Sequence, residues 1–199
     1  MKKLKSSLIN MVVVLTLITI VAGAALAFVN HATSAQIEKI KAENLAKGIK
    51  QVMGVDLNAD FQYTTEEVGD YTFYRSDLGT AIQSTTNGFG GALKVLVGFD
   101  KEGTVLGYTI LEHSETPGLG AKASEWFKKG QKGDITGKNP GTTNFTVSKD
   151  GGDIDAITAS TITSRAFLLA VQNAYEELNK QQQPDGTSAA TQQEGGHDR

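Results

Sequence analysis

From Leu8 to Val29 the chain is apolar, broken only by Asn10, Thr16, Thr19 and small residues. A helix needs about 20 such residues to cross the hydrocarbon core of a bilayer, and this stretch is long enough. Lys2, Lys3 and Lys5 precede it, and no Lys or Arg follows before Lys39. Cytoplasmic flanks carry the excess of Lys and Arg, so the pattern predicts residues 1–7 in the cytoplasm, a transmembrane anchor over 8–29, and the rest outside. Ala25-Leu-Ala27 supports a rival reading as a signal-peptidase site. Signal h-regions are shorter, about 7–15 residues, so an uncleaved anchor is the expectation.

Beyond the anchor lies one domain's worth of chain. Residues 33–180 suffice to bury a single core. The tail 181–199 is rich in Gln, Gly, Ser, Asp and Pro with almost no apolar content, a composition that predicts disorder. A net charge of −3 and the lack of a basic stripe argue against a nucleic-acid surface. The chain has no cysteine, which excludes disulfides, thiolate zinc sites and iron–sulfur ligation by its own residues. His31, His113 and His197 lie too far apart for metal-ligand spacing, so no metal site is expected. A redox role would need an organic cofactor.

Periodicity predicts an α+β domain, an antiparallel twisted sheet of hairpins flanked by helices. Thr33-Ser-Ala-Gln36 has capping-box spacing and predicts a helix start, continued by Ile37, Ile40, Leu45, Ile49 and Val52. Tyr71–Tyr74 and Thr80–Gln83 are short strand candidates. Leu93–Phe99 and Thr104–Leu111 flank the turn Asp100-Lys-Glu-Gly103, where Gly103 supplies the permissive position. A second hairpin is predicted from Asn144–Val147 and Ile154–Ile157 around Lys149-Asp-Gly-Gly152. Between the hairpins Ala121–Lys129 predicts a short helix with Trp126 and Phe127. Ser164–Lys180 predicts a final amphipathic helix with Phe167, Leu168, Val171, Tyr175 and Leu178 facing inward.

Two segments carry chemistry. Asp155-Ala-Ile-Thr-Ala-Ser-Thr161-Ile-Thr163-Ser164 crowds hydroxyls ahead of the last helix. Helix N-termini present unpaired N–H groups and a positive dipole end, so hydroxyls there cap the helix or accompany a phosphate. On the residues alone a structural N-cap is the simpler reading. The second segment, His113-Ser-Glu115-Thr116-Pro117-Gly118-Leu119-Gly120, reads by itself as a turn whose glycines let the backbone lie against a flat ring. His113 has no acidic partner at a readable spacing and reads as structural or surface. Trp126 reads as core. Asn87-Gly-Phe-Gly-Gly91 lacks the ending of a phosphate loop and reads as a turn near the same pocket.

Together these segments resemble the FMN-binding domain of the G subunit of the Rnf electron-transport complex and of its relative, the C subunit of the sodium-pumping NADH:quinone reductase. The resemblance spans nearly the whole chain, and the length fits the Rnf protein better. In that family the flavin phosphate is esterified to a threonine, and the matching residue is Thr161. Asp155, Thr158, Thr161 and Thr163 fall on the family's fixed polar positions. Ala159 stands where Gly is usual and Ser160 where Ala is usual, and positive φ is less accessible to alanine.

The resemblance implies covalent FMN on Thr161, with Thr158, Ala159, Ser160, Thr163 and Ser164 around the phosphate and Glu115, Thr116, Leu119 and Gly120 along the isoalloxazine. It implies a separate flavin transferase that takes FMN from FAD, with Asp155 in recognition. It also implies partner subunits of an ion-translocating ferredoxin:NAD oxidoreductase in the bacterial cytoplasmic membrane, with the domain on the periplasmic side. The chain would be a redox subunit with no catalytic residue of its own and not active alone. Asn30–Ser34 would be the joint if the domain swings between donor and acceptor. Two alternatives stand beside this reading. One is a stand-alone extracytoplasmic flavin reductase, with Glu115 the only nominee for an acid/base group. The other is a cofactor-free, membrane-anchored assembly module.

Overall fold

The computed structural model describes residues 8–182; the expectations for 1–7 and for the tail beyond Gln182 lie outside them. The described chain forms two compact units, one ending at Asn44 and one beginning at Leu45. The described part of the first is helical throughout, with every side chain up to Asn44 exposed. Among the described residues α1 (Leu8–Val52) is the one helix long and apolar enough to cross a membrane.

The helix start expected at Thr33 is not there. α1 runs through Asn30–Ser34 without a break, so neither a capping box nor a joint forms. Thr33 Oγ1 donates to the Val29 carbonyl at 2.8 Å and Ser34 Oγ to the His31 carbonyl at 3.1 Å. Within a continuing helix these hydroxyls bond back to the preceding turn and cap nothing. Ile37 and Ile40 remain exposed, and the predicted apolar face is buried only from Leu45 onward.

The second unit is α+β. Five antiparallel strands form a meander in chain order: β1 (Thr64–Val68), β2 (Tyr71–Ser76), β3 (Gly79–Asn87), β4 (Ala92–Phe99) and β5 (Val105–Glu112). The β4–β5 hairpin follows the sequence expectation. Asp100 Oδ1 accepts the Glu102 and Thr104 N–H groups, and Gly103 takes φ 80°.

Side-chain alternation splits β4 between two layers. Leu93, Val95, Val97 and Phe99 join the main core, while Leu96 faces a smaller one formed with Ile49 and Val52 from the end of α1 and Met53 just beyond it. The main core is closed by helix α3 (Thr161–Gln182) through Phe167, Leu168, Val171 and Leu178. Tyr175 packs at its edge, half-buried.

The long connection from β5 to α3 holds the rest of that core with little regular structure. A 3-10 turn (Gly120–Lys122) leads into the single helical turn α2 (Ala123–Trp126), shorter than the helix expected over 121–129. The second predicted hairpin is also overturned. Val147 and Ile154 meet in one isolated parallel bridge around the 3-10 turn Ser148–Asp150. Ile135, Phe145, Val147, Ile154 and Ile157 from this connection are all buried, so apolar content there signals core plugs and not strands. Phe127 stacks on Phe167 (centroids 4.3 Å apart, planes at 6°), and Tyr108 meets Phe167 edge-on at 4.6 Å. The Tyr108 hydroxyl donates to the Ala123 carbonyl at 2.6 Å and accepts the Phe127 N–H at 3.2 Å. These contacts tie β5, α2 and α3 together directly behind the two chemistry-bearing segments.

Candidate functional site

The β3–β4 turn, the segment after β5 and the start of α3 converge on one buried carboxylate. Glu115 is 5% exposed, an uncommon state for an acid unless its oxygens are satisfied. Its Oε1 accepts the N–H groups of Phe89 (2.8 Å) and Gly90 (3.3 Å), and its Oε2 accepts the Thr163 hydroxyl (2.7 Å). Gly88 and Gly120 make this approach possible. A Cβ on either would overlap a Glu115 oxygen, and one on Gly120 would also come within 2.7 Å of Thr163 Oγ1. Gly88 N–H closes the turn onto the Gly91 carbonyl at 2.8 Å.

The helix end is built with similar economy. Ser160 N–H donates to the Ile157 carbonyl at 3.0 Å, closing a turn whose third residue, Ala159, sits at φ 61°. The position therefore demands the left-handed region, and an alanine occupies it at a cost of roughly 1–2 kcal/mol. Ser164 Oγ accepts the Ile157 N–H and donates to the Ser160 carbonyl, both at 2.9 Å. Thr161 opens α3. The first N–H groups of a helix have no carbonyl one turn back, so they and the dipole leave a positive end beside Thr161.

A concavity of about 350 Å³ lies over these elements, lined by Phe89, Glu115, Thr116, Leu119, Gly120, Ala159, Ser160, Thr161, Ile162 and Thr163. Eight of the predicted site residues thus share one cavity: Glu115, Thr116, Leu119, Gly120, Ala159, Ser160, Thr161 and Thr163. Thr158 is exposed outside it, and Ser164 is fully buried in the turn clamp. Asp155 also lies outside, with its Oδ1 accepting from Ser148 Oγ (3.1 Å) and its carbonyl accepting from Trp126 Nε1 (2.8 Å). His113 is exposed, and its Nδ1 accepts the Glu115 N–H at 3.2 Å. Sequence reasoning placed the Asn87–Gly91 turn near the pocket without naming Phe89 as a lining residue, and it missed Ile162. An aromatic ring set among glycines at a turn tip was the available signal for Phe89; Ile162 reads as any helix residue.

Accessibility separates the hydroxyls. Thr163 and Ser164 are at most 1% exposed and Ser160 is 8% exposed, whereas Thr161 is only half-buried. Thr163 and Ser164 already donate their protons within the protein. Thr161 and Thr116 are the reachable hydroxyls in the cavity, and of the two Thr161 stands at the start of α3. Around it Phe89, Leu119 and Ile162 expose 68%, 41% and 53% of their surfaces. Such a site suits a ligand with a phosphate at one end and a flat aromatic ring system at the other, and FMN fits that description.

The class this fold and site define is a flavin-binding domain: residues 88–176 match the family model described as the FMN-binding domain. The chain is also similar to proteins named as the G subunit of the ion-translocating oxidoreductase complex. It is 31% identical to that of Shewanella piezotolerans over 200 aligned residues, covering 90% of this chain and 93% of the relative. It is 39% identical to that of Vibrio cholerae over 134 residues, covering 64% and 63%. It is 44% identical to that of Salmonella typhimurium over 118 residues, covering 56% of each. The chain belongs to the G-subunit family of ion-translocating oxidoreductase complexes.

Proposed function

We propose that this chain is an electron-carrying subunit, with FMN esterified through its phosphate to Thr161, in a membrane complex that couples ferredoxin and NAD redox chemistry to ion translocation. The observation that carries this reading is the position of Thr161. It is the accessible hydroxyl at a helix N-terminus, inside a cavity with an apolar rim. The names of the relatives and the matched domain support the cofactor and the type of assembly.

Bound FMN supplies the redox chemistry, and the chain supplies attachment and environment. Thr161 Oγ anchors the phosphate, and the first N–H groups of α3 offset its charge. Leu119 and Ile162 exclude water from one side of the body. The cavity lies at the low end of the usual range for small-molecule sites, about 300–1,000 Å³, so a ligand as large as FMN stays partly exposed. An electron carrier that must meet partner cofactors needs that exposure. A covalent tether then replaces the affinity that full enclosure would give. Glu115, the one group nominated as acid or base for a stand-alone reductase, has both oxygens committed to Phe89, Gly90 and Thr163.

Maturation uses a separate flavin transferase that takes FMN from FAD and recognises the exposed Asp155 side. α1 stays uncleaved and anchors the domain on the extracytoplasmic side, with Lys2, Lys3 and Lys5 inside. Confinement to the membrane surface raises the effective concentration of the domain near partner subunits. Producing wild type, Thr161→Ala and Thr163→Ala with the transferase tests the assignment. Flavin fluorescence in denaturing gels should vanish in Thr161→Ala alone. Retention of covalent flavin in Thr161→Ala would refute the site.

A further inference from the structure

We propose that Phe89 is the aromatic wall of the flavin site, in contact with the isoalloxazine, and that Glu115 is the residue that positions it. This inference rests on the reading of Thr161 as the flavin anchor. Phe89 is 68% exposed at the tip of the β3–β4 turn, where a small polar residue would complete the turn without presenting an aromatic ring to water.

The backbone beneath that ring is held more firmly than a turn requires. Phe89 and Gly90 both donate to the buried Glu115 Oε1, and Gly88 donates to Gly91. A Cβ on Gly90 would overlap the Ser114 carbonyl, and one on Gly88 would overlap Glu115 Oε1. The turn is thus pressed against residues 114–115, and the Phe89 side chain lines the cavity that holds Thr161 and Leu119. A planar apolar ligand attached at Thr161 would remove the exposed ring from water by offset or edge contact. Glu115 then serves the flavin indirectly. Its Oε1 holds the wall, while its Oε2 holds Thr163 in the helix that carries the anchor.

Flavin emission provides a readout independent of activity. A phenylalanine ring does not quench flavin, whereas a tryptophan in contact with it quenches strongly by electron transfer. Full-length protein matured with the transferase, its FMN occupancy measured by mass, is compared as wild type, Phe89→Trp and Leu78→Trp, the last an exposed turn residue outside the cavity. Phe89→Trp should lower emission per bound FMN at least fivefold, and Leu78→Trp should leave it unchanged. Phe89→Ala should raise the iodide quenching constant about threefold. In the Phe89→Trp background Glu115→Gln, which keeps an acceptor for the turn, should stay quenched, and Glu115→Ala should regain emission.

Wild-type emission and iodide access in loaded Phe89→Trp and Phe89→Ala would overturn the wall while leaving the anchor standing. Persistent quenching in Glu115→Ala would overturn the positioning role. Wild-type protein without covalent FMN would overturn the anchor itself, and this inference with it.

Discussion

Thr163 Oγ1 donates to Glu115 Oε2 at 2.7 Å, a buried bond between residues 48 apart in the chain. It joins the segment after β5 to the first turn of α3. Helix geometry turns Thr161 away while Thr163 points inward, so one hydroxyl braces the site and the other opens onto it. Thr163→Val should therefore leave a buried carboxylate oxygen without a donor, at a cost of about 1–3 kcal/mol. Paired with Glu115→Gln in a double-mutant cycle, the two losses should fall short of additivity by about 1 kcal/mol. Chemical denaturation of the four proteins checks both figures.

Ala159 at φ 61° predicts a stabilising substitution. Ala159→Gly removes left-handed strain but adds freedom to the unfolded chain, for a net gain of about 0.5–1 kcal/mol. Ala159→Val should destabilise by more than that. Thermal unfolding should rank the three proteins Gly, Ala, Val from most to least stable.

Burial pushes the Tyr108 phenol well above its ordinary value, and Tyr71 and Tyr74 are raised for the same first reason. The sign follows from proton counting. Above about pH 10 the unfolded state loses phenolic protons that the native state keeps, so stability falls as pH rises through that range. Tyr108→Phe should lose about 1 kcal/mol at neutral pH, because the Phe127 N–H and Ala123 carbonyl lose their partner. It should also show a shallower alkaline decline. Denaturation at neutral pH and above pH 10 separates the two effects.

Asp150 meets Arg165 through two contacts, at 2.7 and 2.8 Å, and the guanidinium holds its carboxyl below the ordinary value. A lowered carboxylate contributes above its unfolded value and loses that contribution as pH falls through the folded one. The pair is exposed, so its effect should be small and weakened by salt. Asp150→Asn should flatten the stability profile below about pH 4, most visibly at low ionic strength.

Much of this architecture was legible because local chemistry and tertiary context agree. Leu93 to Phe99 alternates between two cores, and Asp100 with Gly103 closes the turn by its own bonds. β1 escaped because four of its five residues are exposed and present no apolar alternation. The false helix start at Thr33 has a physical cause: a hydroxyl spaced like a cap bonds backward equally well inside a long helix. Val147 and Ile154 resembled strand residues because both are core apolar, yet buried position alone does not specify a ladder. At the site, the resemblance to the FMN-binding family marked Thr161, where the hydroxyls alone read as a helix cap. The division of labour among Ser160, Thr163 and Ser164 depends on the turn back to Ile157 and on Glu115, a partner 48 residues from Thr163 that no local pattern encodes.

The intact mass of the protein purified from membranes of cells containing the transferase, with peptide mapping, tests the central claim most directly. Covalent attachment at Thr161 predicts a gain equal to FMN less one water, carried on the peptide containing that residue. An unmodified chain, or the same gain on another residue, would contradict it.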